Sequence, residues 1–351
     1  MRVLIATDAW RPHVCGVVRT LTALAKSAPA IGLEVEFLSP EGFPSFSVPT
    51  YPGLRLAVPD RREIARRIEK AEPDAIHIAT EGTIGLATRA YCVRNGLRFT
   101  TSYTTRYPEY ISARFAIPES WTYAALRWFH AESAVTMVAT PSLWNELTAQ
   151  GFRNLGAWTR GVDTERFSPD NPAVLDLPRP IFLSAGRIAV EKNHEAFLSL
   201  QLPGSKVVIG EGPQEAELKR RFPDGHFLGL KEGRDLAAHI AAADVFVFPS
   251  LTDTFGVVQL EALACGVPVA AFPVMGPKDV IGDHPVGVLH ENLWLACLRA
   301  LAVSRTACRE FALGFSWENS ARQFAANLRP IRAGRARVSG TALTVPAAAN
   351  R

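Results

Sequence analysis

The sequence predicts an α/β protein made of two doubly wound parallel-sheet domains, each Rossmann-like, that face a cleft. Three observations carry that expectation. Short apolar runs alternate with stretches of helical period along most of the chain, the alternation lapses once near the middle and restarts, and Ala243 to Pro273 reads as a complete strand, loop, helix and strand. In that last stretch Val245 to Phe248 is an apolar run stopped by Pro249, Gly256 opens a segment with apolar residues at helical spacing, and Gly266 and Pro268 end it before the next strand. Two acids, Asp253 and Glu261, stand with seven residues between them around the helix start. In open parallel sheets ligands sit beyond the carboxyl ends of the strands, so this acid pair should face a polar, phosphorylated ligand.

Taken in order, strands are expected at Arg2 to Thr7, Leu33 to Ser39, Ala75 to Ala79, Phe99 to Tyr103 and Val135 to Thr140. Helices fall at Val14 to Ala30, Arg61 to Glu72, Ile84 to Arg94, Trp121 to Glu132 and Leu143 to Gln150. Between Val162 and Arg179 the pattern gives way to Asp, Asn and Pro, the composition of a linker. The expected division is therefore 1–165 for an N-terminal domain, 166–180 for the linker and 181–330 for a C-terminal domain. Strands restart at Ile181 to Ala185, Lys206 to Ile209, Val245 to Phe248 and Val267 to Ala271, and helical patterns at Glu291 to Ala302, Ser304 to Leu313 and Trp317 to Leu328 close the fold. Residues 331–351 lack periodicity and are expected to be a disordered tail.

Composition narrows the function. The chain has 351 residues, enough for two buried cores, with 48% hydrophobic and 21% charged residues and a net charge of +4. That mild charge favours anionic partners such as sugar nucleotides or an acidic membrane surface, and no arginine stripe interleaved with aromatics argues for nucleic acid. The five cysteines are scattered without a C-x-x-C pair, which points to reduced thiols in the cytoplasm. None of the eight histidines has metal-ligand spacing, and no G-x-S-x-G elbow or Walker lysine loop is present. His77 lies in a strand, where a structural role is the default.

Ser184-Ala185-Gly186-Arg187 ends a strand and Glu191-Lys192-Asn193 follows it, so Arg187 and Lys192 can converge as two fixed cations. Such a pair suits a diphosphate leaving group, on which negative charge grows as the glycosidic bond breaks. The alternative is a solvated pair of surface bases. Gly210-Glu211-Gly212-Pro213 and Gly276-Pro277 are strand-end turns where the backbone can approach a base or phosphate closely. Asp253 can be read as a helix cap; Glu261, two turns into an apolar helix, either faces solvent or binds a polar partner, for which ribose hydroxyls are well suited.

Together these residues resemble the retaining glycosyltransferases of family 4, which share the two-domain GT-B fold. The resemblance extends from Thr7-Asp8-Ala9-Trp10 and Gly16-Val17-Val18-Arg19 through His77-Ile78-Ala79-Thr80-Glu81-Gly82, Thr101-Ser102-Tyr103, Arg106-Tyr107-Pro108-Glu109-Tyr110 and Arg160-Gly161-Val162-Asp163 to the second-half motifs above. It implies that Gly16 lies against the donor diphosphate, that Arg187 and Lys192 neutralise it, that Asp253 stands near the donor sugar in place of the usual glutamate, and that Glu261 holds the ribose. Gly210, Gly212, Thr254, Phe255 and Gly256 are the further donor contacts it implies, and Arg106, Tyr107, Glu109 and Tyr110 the acceptor side. No metal or other cofactor is expected, since the two cations do the neutralising.

The reaction so implied moves a hexose or hexuronic acid from a nucleotide diphosphate sugar to a hydroxyl acceptor with retention, by front-face attack in a closed cleft. The branch it resembles includes lipid glycosyltransferases and mannosyltransferases. The first expectation is a glycosyl- or glucuronosyl-diacylglycerol product from a UDP-sugar; GDP-mannose-dependent α-mannosyl transfer is the alternative, and a sugar-nucleotide-binding protein without turnover a remote one. Two departures bear on the sugar pocket: Thr104 stands where the family commonly has histidine, and Cys15 where asparagine usually precedes the first-loop glycine. Thr104 is therefore a candidate catalytic-site residue that marks either a changed donor preference around the sugar's C6 position or a weakened enzyme. A basic helix over Asp60 to Ala71 and the aromatics Phe115, Trp121, Tyr123, Trp128 and Phe129, with Arg114 and Arg127, suit docking from the cytoplasm on the inner, anionic face of the plasma membrane.

Overall fold

The computed structural model of the protein describes residues 1–11, 15–48, 51–115, 117–172 and 174–332. The tail expected from 331 on lies outside the described residues from 333. The first half contains β1 (Arg2–Ala6), α1 (Gly16–Ser27), β2 (Glu34–Leu38), β3 (Ser45–Val48), β4 (Tyr51–Ala57), α2 (Arg61–Ala71), β5 (Ala75–Ile78), α3 (Thr83–Arg94), β6 (Thr100–Ser102), α4 (Tyr107–Phe115), α5 (Glu119–Ala131), β7 (Val135–Val138), α6 (Pro141–Ala149) and β8 (Leu155–Ala157). The second contains β9 (Ile181–Ala185), α7 (His194–Leu198), β10 (Ser205–Ile209), α8 (Glu215–Arg221), β11 (His226–Phe227), α9 (Gly233–Ala241), β12 (Val245–Phe248), α10 (Val257–Ala264), β13 (Val269–Ala271), α11 (Pro277–Val280), β14 (Gly287–Leu289), α12 (Leu293–Ala300), α13 (Arg305–Leu313) and α14 (Trp317–Asn327).

Each half forms a six-stranded sheet, β2-β1-β5-β6-β7-β8 and β11-β10-β9-β12-β13-β14. Every pairing in both is parallel. The central strands are apolar on both faces, as strands covered by helices on both sides must be: Val3 to Ala6 and Val245 to Phe248 are all buried. Strand order reverses beside the first strand of each half, between β1 and β5 and between β9 and β12. Those two switch points are where an open α/β sheet leaves a crevice at its carboxyl edge.

Three features differ from the sequence expectation. β3 and β4 pair as a separate antiparallel hairpin, in a segment whose Pro44, Pro49, Pro52 and Gly53 break the apolar pattern. The edge strands β8, β11 and β14 span three, two and three residues, too short for a periodic signal. Helix α14, inside the range expected to form the second domain, packs on the first sheet. Its Ala321 and Phe324, with Leu328, complete the core of Val3, Ile5, Leu21 and Leu24. The Trp158 indole donates to Ser320 Oγ at 3.1 Å, and Val162 N–H donates to Phe315 O at 2.9 Å. The outgoing and returning crossings between domains therefore lie side by side. An amphipathic face shows in the sequence; which sheet covers it does not.

Candidate active site

The loops after β9 and β12 meet at the second switch point. Asn193 adopts a left-handed conformation with φ of 53° and donates through Nδ2 to Pro249 O at 3.1 Å, while Ser250 Oγ donates to Glu191 O at 3.0 Å. These bonds bring Lys192 Nζ to 2.5 Å from Asp253 Oδ2. Arg187 is half-buried on the same loop, its carbonyl 3.2 Å from Nε2 of the buried His194. Burial holds the His194 imidazole neutral, with its pKa lowered to about 4.

Helix α10 begins at Gly256, whose φ of 77° lies in the left-handed region that glycine adopts without strain. Thr254, Phe255 and Gly256 thus stand ahead of a helix N-terminus, but the Phe255 ring is buried in the core of the second domain; only its backbone can face the cleft. Gly210 and Gly212 answer mainly to packing: a Cβ on Gly210 would come 1.9 Å from Gly186 O, and one on Gly212 2.2 Å from Ile188 O. Gly16, by contrast, opens α1 with no described residue within 4 Å of where its Cβ would stand.

The first domain closes over this edge. Thr254 Oγ1 donates to Thr104 O at 3.2 Å, Arg106 Nη1 lies 2.9 Å from Met275 Sδ, and Ser142 N–H donates to Asp279 Oδ1 at 2.8 Å. Asp279 Oδ2 also accepts from Gly276 N–H at 3.1 Å, so the Gly276 turn is tied to its own helix and not open to phosphate. From α1, Arg19 Nη1 reaches to 3.9 Å from Oε2 of Glu261, whose side chain is 9% exposed. Burial pushes the Glu261 carboxyl above its ordinary range, against the opposing pull of Arg19 and Arg166.

On the first-domain wall Arg106 pairs with Glu109 and lies 3.2 Å from Glu146. The Tyr123 hydroxyl donates to the same two acids, at 3.0 and 2.5 Å. Tyr107 is half-buried, with burial raising its phenol; the Tyr110 side chain lies outside the described residues. Nearby, Glu81 Oε1 sits 3.2 Å from His130 Nε2, and His130 Nδ1 is 2.8 Å from Thr101 Oγ1. Among the described residues the buried side-chain atoms without a hydrogen-bond partner include Glu81 Oε2, Tyr103 Oη, Thr104 Oγ1, Arg106 Nε, Glu109 Oε2 and Glu261 Oε2. Buried polar groups are nearly always paired, so their concentration on the cleft walls marks where a hydroxyl-rich ligand could be received.

Glu81, His130 and Arg19 are not singled out as site residues by the sequence. Glu81 and Arg19 are present only as motif members and His130 in no motif, because nothing in a sequence tells that Glu81 meets a histidine 49 residues away. Asp8, in the first-loop motif, is structural. Its carboxylate accepts from Ile84 N–H at 2.7 Å and Gly85 N–H at 3.2 Å, capping α3. His77 is likewise structural, bonded to Thr100 at 2.9 Å and Ser102 at 3.2 Å.

The surface expected to meet a membrane divides. On α5, Trp121 and Trp128 are 71% and 57% exposed, with the Arg89 guanidinium 4.0 Å over the Trp128 ring. Tyr123 and Phe129 instead turn into the core, and on α2 Arg66 and Arg67 are each 2.7 Å from Glu63. The side chains of Arg114 and Phe115 lie outside the described residues. No helix among the described residues is long and apolar enough to cross a membrane.

Comparison with known proteins agrees with this architecture. Residues 14–166 match "Glycosyltransferase Family 4" and residues 179–302 match "Glycosyl transferases group 1". The chain is 30% identical over 318 residues to a GDP-mannose-dependent alpha-mannosyltransferase of Mycobacterium tuberculosis (strain CDC 1551 / Oshkosh), covering 82% of this chain and 83% of that one. It is 30% identical over 265 residues to sulfoquinovosyl transferase SQD2 of Arabidopsis thaliana, covering 70% of this chain and 52% of the plant protein. Among solved structures, sucrose-phosphate synthase from Thermosynechococcus elongatus superposes with a TM-score of 0.73 at 18% identity, over 93% of this chain and 97% of the other.

Proposed function

The chain belongs to glycosyltransferase family 4, and on that footing we propose that this hexosyltransferase moves mannose from GDP-mannose to an uncharged hydroxyl acceptor with retention. The observation that carries the reading is the closed apposition of the carboxyl edges of the two sheets, with Lys192, Asp253 and Thr254 on one side and Thr104 and Arg106, which follow β6, on the other. The donor assignment rests on the likeness to the mycobacterial mannosyltransferase.

In this reading Arg187, Lys192 and the backbone N–H groups ahead of α10 receive the diphosphate. Glu261 accepts from the ribose hydroxyls, and Gly16 lets the first loop approach the phosphates. Lys192 is held by Asp253 before the donor arrives; the donor replaces that contact, leaving the lysine on phosphate and the carboxylate on sugar hydroxyls. The bond from the anomeric carbon to the phosphate oxygen breaks as the acceptor oxygen bonds to the same face, and the acceptor's proton passes to the departing phosphate. Closure excludes water from the oxocarbenium-like state. These two cations are offered as the neutralising groups, with no metal required.

Among the described residues the acceptor wall carries Glu81, which faces His130, and Glu109 and Glu146 against the Arg106 guanidinium. That balance repels a phosphate-bearing acceptor and suits hydroxyls, which donate to carboxylate oxygens. The exposed Trp121 and Trp128 favour an acceptor presented at a membrane. A second reading keeps a UDP-sugar donor and a diacylglycerol acceptor. It is favoured by Asp253 and Thr104, which reshape the sugar end of the pocket relative to the family pattern. A thermal-shift screen of GDP, GDP-mannose, UDP and UDP-sugars separates the two. Stabilisation by the guanine nucleotides alone is the result expected, and stabilisation by uridine nucleotides alone would transfer the assignment to the second reading.

A further inference from the structure

We propose that Arg19 is a positioning residue of the donor site, supplied across the cleft by the first domain on closure, which holds the Glu261 carboxylate as acceptor of the donor's ribose hydroxyls. The inference rests on the reading of Glu261 as the nucleotide anchor. Arg19 stands one turn into α1, three residues after Gly16, and its guanidinium faces Glu261 at 3.9 Å from the opposite domain. The same helix places Lys26, seven residues on, 3.9 Å from Asp163. One face of α1 thus presents two cations, one to Asp163 just before the linker and one to Glu261 of the second domain.

The 3.9 Å separation is too long for a hydrogen bond, and Glu261 Oε2 is buried with no hydrogen-bond partner among the described residues. Arg19 therefore supplies charge without occupying the oxygen, which stays open to a ligand hydroxyl. A carboxylate buried alone tends to take up a proton, and a protonated carboxyl accepts fewer hydroxyl bonds. The groups that face Glu261 are Arg19 from α1, Arg166 from the linker and, on its own helix, the Cys265 thiol. Arg309 from α13 is committed to the carbonyls of Thr164, Phe167 and Ala264. Arg19 is the member of this set that arrives only when the domains close, so nucleotide affinity becomes coupled to closure.

The test is isothermal titration of GDP and UDP into the full-length wild-type, R19Q, R19K and E261Q proteins from pH 5 to 8, with melting temperatures recorded alongside. Loss of a charge-assisted contact predicts about tenfold weaker nucleotide binding for R19Q at pH 7. The ionised Glu261 carboxylate is the better acceptor, and removing a cation raises its pKa. The acid limb of the R19Q affinity profile therefore moves to higher pH, while R19K keeps the wild-type profile. A folded R19Q protein with an unmoved limb and impaired E261Q binding overturns the role of Arg19 alone. E261Q binding that matches wild type removes the anchor reading and this inference with it.

Discussion

Lys192 and Asp253 form a half-buried ion pair, Nζ to Oδ2 at 2.5 Å, that bridges the loops after β9 and β12. The pair joins the cation assigned to the leaving group with the acid assigned to the sugar. Each therefore neutralises the other, and in the proposed reading donor binding exchanges that contact for two new ones.

Asp253→Asn should release Lys192. Nucleoside diphosphate binding then tightens by a few fold, while sugar transfer falls by about 10²-fold or more because the carboxylate's contact to the sugar is lost. Calorimetry of the nucleotide together with steady-state rates checks the split. Equal loss of both would place Asp253 in structural support only.

Lys192→Ala should lower kcat by about 10²- to 10³-fold, the range for removing one preorganised donor to developing charge. Retained turnover with only a raised KM would restrict the lysine to ground-state binding.

Thr104→His introduces an imidazole where a buried hydroxyl has no partner and where the backbone meets Thr254. Donor selectivity should shift, read as kcat/KM ratios across a panel of hexose and hexuronate donors. Unchanged selectivity and turnover would end the assignment of Thr104 to the sugar pocket.

Phe324→Ala should destabilise the first domain by about 3–5 kcal/mol, since the ring fills a core shared with Trp158 and His77. Urea unfolding followed by tryptophan fluorescence measures it. A change confined to the second domain would contradict the return of α14 to the first sheet.

Buried His77 and His194 should make acid destabilising. Burial lowers the two imidazoles from 6.5 to about 3 and about 4. Between those values and 6.5 the unfolded chain binds more protons than the fold, so stability declines as pH falls through that window. A melting-temperature profile over pH 4 to 7 should show the loss, with a shallower slope for His77→Gln.

The parallel α/β plan is legible because β1, β5, β9 and β12 are buried on both faces, and a doubly buried strand leaves a plain apolar run. The strand-end motifs carrying Arg187, Lys192, Asp253 and Glu261 are legible for the same reason, since loops after such strands must gather at one edge. What the sequence does not disclose depends on pairing across space. The covering of α14 by the first sheet, the Glu81 and His130 contact, and the reach of Arg19 to Glu261 join residues far apart in the chain. Gly210 and Gly212 show the converse, for their loop is glycine because two turns pass within van der Waals distance.

Retaining hexosyl transfer in the closed cleft is tested most simply by a product assay. The protein is incubated with GDP-mannose or a UDP-sugar and an acceptor panel of uncharged glycolipids, diacylglycerol and their phosphorylated counterparts. Products are read by mass spectrometry and their anomeric configuration by NMR. An α-linked hexosyl product, most abundant from GDP-mannose and an uncharged acceptor, is the expected result. Inversion at the anomeric carbon, or transfer only to the phosphorylated acceptors, would contradict it.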